Sequence, residues 1–172
     1  MHHTHYHRPV SVAEAVKLMG EHPDDKVLAG GQSTLPSMKL GLTAPEGFID
    51  LAAIGELKGV CTEGNSVIVG AMTTHHVVAT SAEVKSMIPA LAALAGGIGD
   101  RAVRNRGTIG GSLANSDPAA CYPAGVLGLG ATIRTNTRSI AADDWFKGLY
   151  ETALAPGELI TAVIYPVPEK AE

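Results

Sequence analysis

Two short runs in the sequence place paired glycines between an aliphatic residue and a small hydroxyl: Ala29-Gly30-Gly31-Gln32-Ser33 and Thr108-Ile109-Gly110-Gly111-Ser112. Glycine lets the backbone bend so that successive N–H groups face one concave point, and such nests bind anions. Two of them meeting across a cleft would hold a diphosphate, with the Ser and Thr hydroxyls adding donors. Hydrogen bonds to charged groups contribute about 1.5 to 3 kcal/mol each, so three or four offset much of the entropy a dinucleotide loses on binding. One glycine pair alone also reads as an ordinary turn beside a strand. Two of matching composition favour the anion site.

Other chemistry is harder to find. No Ser-His-Asp order, metal-ligand spacing or paired carboxylates with a catalytic context stand out, so no catalytic residue and no metal ligand is assigned. Asp143 and Asp144 read as a helix N-terminal cap. His2, His3, His5 and His7 read as a solvated, frayed start or an expression artefact. His75 and His76 lie between two threonines and a helical segment; one facing a cofactor and an ordinary structural or surface role both remain open. Arg101, Arg104 and Arg106 form the dense positive cluster. They would offset a diphosphate, dock an acidic partner or form salt bridges on a solvated loop. Gly97-Ile-Gly99-Asp-Arg-Ala102, followed by Asp117, spells a dinucleotide fingerprint, but an Ala-rich helical stretch precedes it where a strand is required. The Rossmann reading is rejected.

Composition narrows the class. The 172 residues are 45% apolar and 17% charged, which suits a compact α+β fold with a sizeable core. A net charge of −4 with no basic run argues against a nucleic-acid surface. The longest uncharged stretch, Pro118 to Ile133, is glycine-broken and shorter than the roughly 20 apolar residues of a membrane span. The N-terminus lacks a secretory pattern, so a cytoplasmic location is expected. Cys61 and Cys121 have no CxxC partner, read as reduced thiols in or near a core, and cannot build an iron-sulfur cluster.

Short elements must position the glycine pairs. Ser11 to Glu14 has capping-box spacing ahead of a helix to about Gly20. Lys26 to Ala29 reads as a brief buried strand, after which Ser33 or Thr34 caps a helix through Lys39. Phe48 to Leu51 reads as a strand, and Gly59 to Gly70 as a hairpin around Gly64-Asn65. A first lobe is expected at 1–57 and a second at 58–172. Thr73 to Gly97 is helical, Asp100 to Arg106 breaks the apolar run, and Asp117-Pro118 starts another helix. A second hairpin flanks Asn136, Asp143 to Phe146 makes a helical turn, and Leu159 to Tyr165 forms the last strand.

Four segments together resemble a known family: Leu28-Ala-Gly-Gly-Gln-Ser33 with Met38-Lys39; Gly70-Ala-Met-Thr-Thr-His75; Ile98 through Ala114; and Ala142 through Thr152. They are similar to the FAD-binding medium subunit of the molybdenum hydroxylases, such as carbon monoxide dehydrogenase and xanthine dehydrogenase. The resemblance implies a two-lobed FAD-binding fold of the vanillyl-alcohol-oxidase type. It places the diphosphate at Ala29, Gly30, Gly31, Gln32 and Ser33 and at Thr108, Ile109, Gly110, Gly111 and Ser112. By the same carry-over Lys26, Val27, Leu28 and Thr34 line the cleft, Ile98 and Ile160 lie near the flavin rings, and Gly70 and Ala71 near the cofactor wall. It further implies partner subunits, a large one with the molybdenum cofactor and a small one with two [2Fe-2S] clusters, passing electrons through FAD to an external acceptor. Two departures stand out. Cys121 occupies the place of an aspartate expected to touch cofactor hydroxyls, and the chain reaches Glu172 before the family's C-terminal domain. A stand-alone flavoprotein oxidoreductase and a cofactor-free interaction module remain competing classes.

Overall fold

The computed structural model describes residues 4–169. Near the N-terminus, β1 (His5–His7), α1 (Val12–Glu21), β2 (Lys26–Leu28), α2 (Thr34–Lys39) and β3 (Gly47–Asp50) follow in order. β3 lies between β1 and β2 in a parallel three-stranded sheet. The expected frayed start is therefore corrected at His5 to His7. Pairing with β3, some forty positions downstream, supplies the backbone partners that local sequence does not reveal. Ser11 caps α1 by accepting the Glu14 N–H, as expected, but the Glu14 carboxylate reaches the Val10 N–H and not that of Ser11. Ala15, Ile49, Leu51, Ile54 and Leu57 form a small core with Met72 and Leu159.

The rest of the chain builds on β4 (Val60–Glu63), β5 (Ser66–Gly70), β6 (Thr132–Thr135), β7 (Ser139–Ala141) and β10 (Ile160–Pro166), an antiparallel sheet ordered β4-β5-β10-β6-β7. Both expected hairpins are present. Alternation buries Ile133 on β6 and Val163 and Tyr165 on β10 against the helical layer. That layer comprises α3 (His75–Thr80), α4 (Ala82–Met87), α5 (Pro89–Gly96), α6 (Arg101–Arg106), α7 (Ile109–Asn115) and α8 (Cys121–Gly128), with α9 (Ala142–Trp145) after β7. A two-stranded ribbon, β8 (Phe146–Gly148) and β9 (Glu151–Thr152), follows α9. No described helix is long and apolar enough to cross a membrane.

Several expectations are corrected here. The helical stretch after Thr73 is three helices, because Ser81 and the Ile88-Pro89 step restart the chain. The arginine segment is a helix whose Asp100 carboxylate accepts the Val103 N–H. Asp117 closes an Asx turn on the Ala119 N–H, so α8 starts later, at Cys121. Ala141 is the N-cap of α9, and Asp143 and Asp144 lie in its first turn, where carboxylates still complement the helix dipole. Cys61 and Cys121 are both exposed free thiols, since the first lies on edge strand β4 and the second opens α8.

Candidate functional site

Between the two sheets lies a cleft of about 640 Å³, within the roughly 300–1,000 Å³ typical of small-molecule sites. Both glycine runs face it. They meet because neither can carry a side chain: a Cβ on Gly30 would run into the Arg106 carbonyl oxygen and approach Gly107 Cα to 2.8 Å, and one on Gly111 would stand 3.2 Å from the Ala29 Cβ. Gly110 sits as tightly against Ala71, whose Cβ would lie 2.6 Å from an added methyl.

The two runs differ in what their amides do. After β2 the chain turns at Gly31, whose φ of 73° lies in the left-handed region. The N–H groups of Gly30, Gly31, Gln32 and Ser33 find no acceptor among the described residues. The second run is not a bend. Thr108 caps α7 by accepting the Gly111 N–H at 3.2 Å, the Ile109 N–H donates to Thr73 O, and the Gly110 N–H donates to Ala71 O. Its glycines supply close approach and its amides from Ile109 to Ser112 are committed, which corrects the expectation of two nests. What this side offers the cleft is the Ser112 hydroxyl and Asn115 carboxamide, on the lining and hydrogen-bonded to no described residue. Ser33, although the N-cap of α2, makes no side-chain cap bond, so its hydroxyl also remains available.

All the cofactor-binding residues expected from the sequence line the cleft except Leu28, Gly70 and Ile109. The Leu28 side chain instead lies beside Gly31, 3.7 Å from where a Cβ on that glycine would stand. Gly70 backs onto the Leu57 carbonyl, and Ile109 is fully buried in the core. Cys121 is outside the lining, which stops at Ala120. Arg104 donates to the carbonyl oxygens of Ile98 and Gly99, so it holds the loop that brings Ile98 to the cleft and makes no salt bridge with a described residue.

Sequence reasoning missed Leu51, Met72, Tyr150 and Glu158 on the lining and left His75 undecided. Tyr150 is held at φ 57° between β8 and β9, its N–H donating to the carbonyl of Ser116, itself at φ 49°. His75 is 5% exposed, its Nδ1 has no partner among the described residues, and burial lowers its pKa to about 4, so the imidazole is neutral near pH 7. The Glu158 carboxylate accepts from Arg138 Nε and Nη2, Thr135, Thr137 and the Ala155 N–H. The Arg138 guanidinium above all holds its pKa well below the ordinary carboxylate range. This knot fixes the start of β10, where Ile160 enters the cleft.

The unsatisfied amides, free hydroxyls and apolar floor of Leu51, Met72 and Ile160 suit a ligand that is anionic at one end and flat and apolar at the other. A flavin dinucleotide fits that description. Residues 2–168 match the family described as the FAD binding domain in molybdopterin dehydrogenase. The chain is 43% identical over 168 residues to the carbon monoxide dehydrogenase medium chain of Afipia carboxidovorans, covering 95% of this chain and 58% of that protein. It is 39% identical over 166 residues to the glyceraldehyde dehydrogenase medium chain of Sulfolobus acidocaldarius, covering 94% of this chain and 59% of that protein. It superposes on a crystal structure of cyanide-inactivated Cu,Mo-CO dehydrogenase with a TM-score of 0.93 at 42% identity, over 96% of this chain and 60% of that one. Quinoline 2-oxidoreductase from Pseudomonas putida 86 gives a TM-score of 0.93 at 37% identity, over 96% and 59%. The chain thus spans less than two thirds of the length of these relatives. Its α+β architecture is the two-lobed FAD-binding fold expected from the sequence, and the chain belongs to the family of FAD binding domains of molybdopterin dehydrogenases.

Proposed function

We propose that this chain holds FAD in the cleft and serves as the electron-transfer module of a molybdenum hydroxylase. The amides of Gly30 to Ser33, whose donors have no acceptor among the described residues, are the observation that carries the reading. They take the diphosphate, with the hydroxyls of Ser33, Thr34 and Ser112 as further donors. Lys26 at the rim adds a positive charge. Val27, Ala71, Ile98 and Ile160 exclude water from the apolar end, and Thr108, Gly110 and Gly111 bring the facing wall close enough to clasp the cofactor.

Bound in this cleft, FAD would supply the redox chemistry that lets electrons pass from reduced clusters to an external acceptor. This chain's own residues bind, orient and shield. Neutral His75 lends the wall a polar group without adding a charge beside the ligand. In the proposed assembly a large subunit bears the molybdenum cofactor and a small one the two [2Fe-2S] clusters, in the cytoplasm. The lobes divide at 57/58. Medium chains of carbon monoxide and glyceraldehyde dehydrogenases among the relatives support such an assembly.

The test is to purify the chain, record its absorption spectrum and titrate apoprotein with FAD. Stoichiometric flavin, reducible by a reduced [2Fe-2S] partner subunit but not directly by small organic substrates, is expected. Failure to bind FAD would leave a cofactor-free module, and direct reduction by substrate would make the chain a stand-alone oxidoreductase.

A further inference from the structure

On the far side of β2 from the turn that opens the cleft, three ligand-type side chains converge. His7 closes β1, His22 is the C-cap of α1, and Asp25 immediately precedes β2. One ligand atom from each lies within 4.8 Å of the others. The Asp25 side chain is only 3% exposed, yet among the described residues its Oδ2 has no hydrogen-bond partner, and neither does the buried His7 Nε2. The two atoms stand 3.4 Å apart, facing each other without an aligned hydrogen bond. A carboxylate oxygen and an imidazole nitrogen buried against each other without a hydrogen bond are costly on both counts unless the imidazole is protonated into the ion pair that their separation allows. A cation between them would satisfy both.

The backbone builds this arrangement. The Asp25 N–H donates to the His22 carbonyl at 3.1 Å, which fixes the turn carrying both ligands. The Asp25 carboxylate fills the space a side chain on Gly47 would take: a Cβ there would meet its Oδ1 and lie 2.5 Å from its Cγ. Gly47 opens β3, whose pairing with β1 and β2 sets His7 level with Ile49 and Asp25 level with Gly47, two positions apart along the strands and on one face of the sheet. The imidazole of His22 lies over that of His7, ring centres 4.4 Å apart.

We infer that His7, His22 and Asp25 form a binding site for a borderline divalent transition-metal cation of the zinc class, separate from the cofactor cleft. Two imidazoles and one carboxylate match that class, and metal–ligand bonds of about 2.0–2.2 Å in a tetrahedron set neighbouring ligand atoms about 3.3 Å apart. The His7–Asp25 separation meets this requirement as it stands, and His22, half-buried at a helix end, closes the remaining gap by rotation. Three protein ligands leave the fourth position to water. A bound ion ties β1, the end of α1 and the start of β2 together, and so stiffens the strand that delivers Val27 and Ala29 to the cleft.

The test uses the full chain with His2, His3 and His5 replaced by alanine, so that the other N-terminal histidines cannot contribute. Zn²⁺ is titrated calorimetrically, Co²⁺ is followed by its visible absorption, and melting is compared in Zn²⁺ and in EDTA. One equivalent of Zn²⁺, tetrahedral Co²⁺ absorption and a higher melting temperature with metal are expected. His22→Gln and Asp25→Asn should each weaken Zn²⁺ binding at least about tenfold. His22→Gln carries the test if Asp25→Asn fails to fold in EDTA, because the Asp25 side chain is only 3% exposed and fills the space beside Gly47. Absence of Zn²⁺ binding up to millimolar concentration, or binding that His22→Gln leaves unchanged, would overturn the proposal.

Discussion

The carbonyl oxygen of Arg106 occupies the space where a side chain on Gly30 would begin. This contact joins the turn after β2 to the link between α6 and α7, and so closes one end of the cleft. Both partners are backbone, so neither can rotate away. Gly30→Ala must push the two segments apart, a strain of about 2 kcal/mol. Displacing a binding loop by even about an ångström weakens ligand positioning severely. The expected outcome is a lower melting temperature together with at least about a tenfold loss in FAD affinity, read by calorimetry and fluorescence titration. Wild-type FAD affinity in this variant would refute the role given to the contact.

His75 makes stability depend on pH in a window set by burial. Its folded pKa is about 4 against an ordinary 6.5, so between those values the unfolded chain takes up a proton that the folded chain refuses. Stability therefore falls as pH drops from 6.5 to 4, with an upper limit of about 3 kcal/mol, and below 4 this group adds no further slope. Denaturant melts across this range should show the slope in wild type, and His75→Asn should flatten it.

Much of this geometry was legible in the sequence, and the failures have physical causes. Lys26 to Gly31 reads correctly because an apolar run ending in glycines has few alternatives, and Gly64-Asn65 marks its hairpin for the same reason. Gly110 and Gly111 misled because paired glycines disfavour a helix by propensity. The Thr108 cap and the burial of Ile109 and Leu113 in the core override that preference. β1 escaped notice because its stabilising partner is distant along the chain. Tyr150 gave no signal at all: a tyrosine at positive φ is held by its bond to Ser116, a contact no local pattern encodes.

Glu158 governs a second, more acidic window. Its folded pKa is depressed, so its contribution is complete above the ordinary value of 4.5 and is lost as pH falls below it, after the His75 slope has begun. Glu158→Gln keeps the shape but removes the charge that Arg138, two threonines and an amide address. A lower melting temperature is expected at pH 7, limited by solvent screening of the half-exposed Arg138, with a weaker acid dependence below 4.5. An unchanged melting temperature at pH 7 would show that the knot does not hold β10.

Ser33 and Thr108 occupy equivalent N-cap positions on α2 and α7 and should respond in opposite ways to the loss of the hydroxyl. Thr108 is 3% exposed and its Oγ1 accepts the Gly111 N–H, so Thr108→Ala strips a helix cap and costs the apoprotein about 1 kcal/mol. Ser33 makes no cap bond with its side chain, so Ser33→Ala should leave apoprotein stability within about 0.5 kcal/mol of wild type. If its hydroxyl meets the diphosphate, the same change removes a bond to a charged group, worth about 1.5 kcal/mol or more, and weakens FAD binding by about tenfold. Urea melts of apoprotein and FAD titrations of both variants separate the two roles. Ser33→Ala that destabilises the apoprotein while binding FAD normally would place the cofactor's phosphates elsewhere.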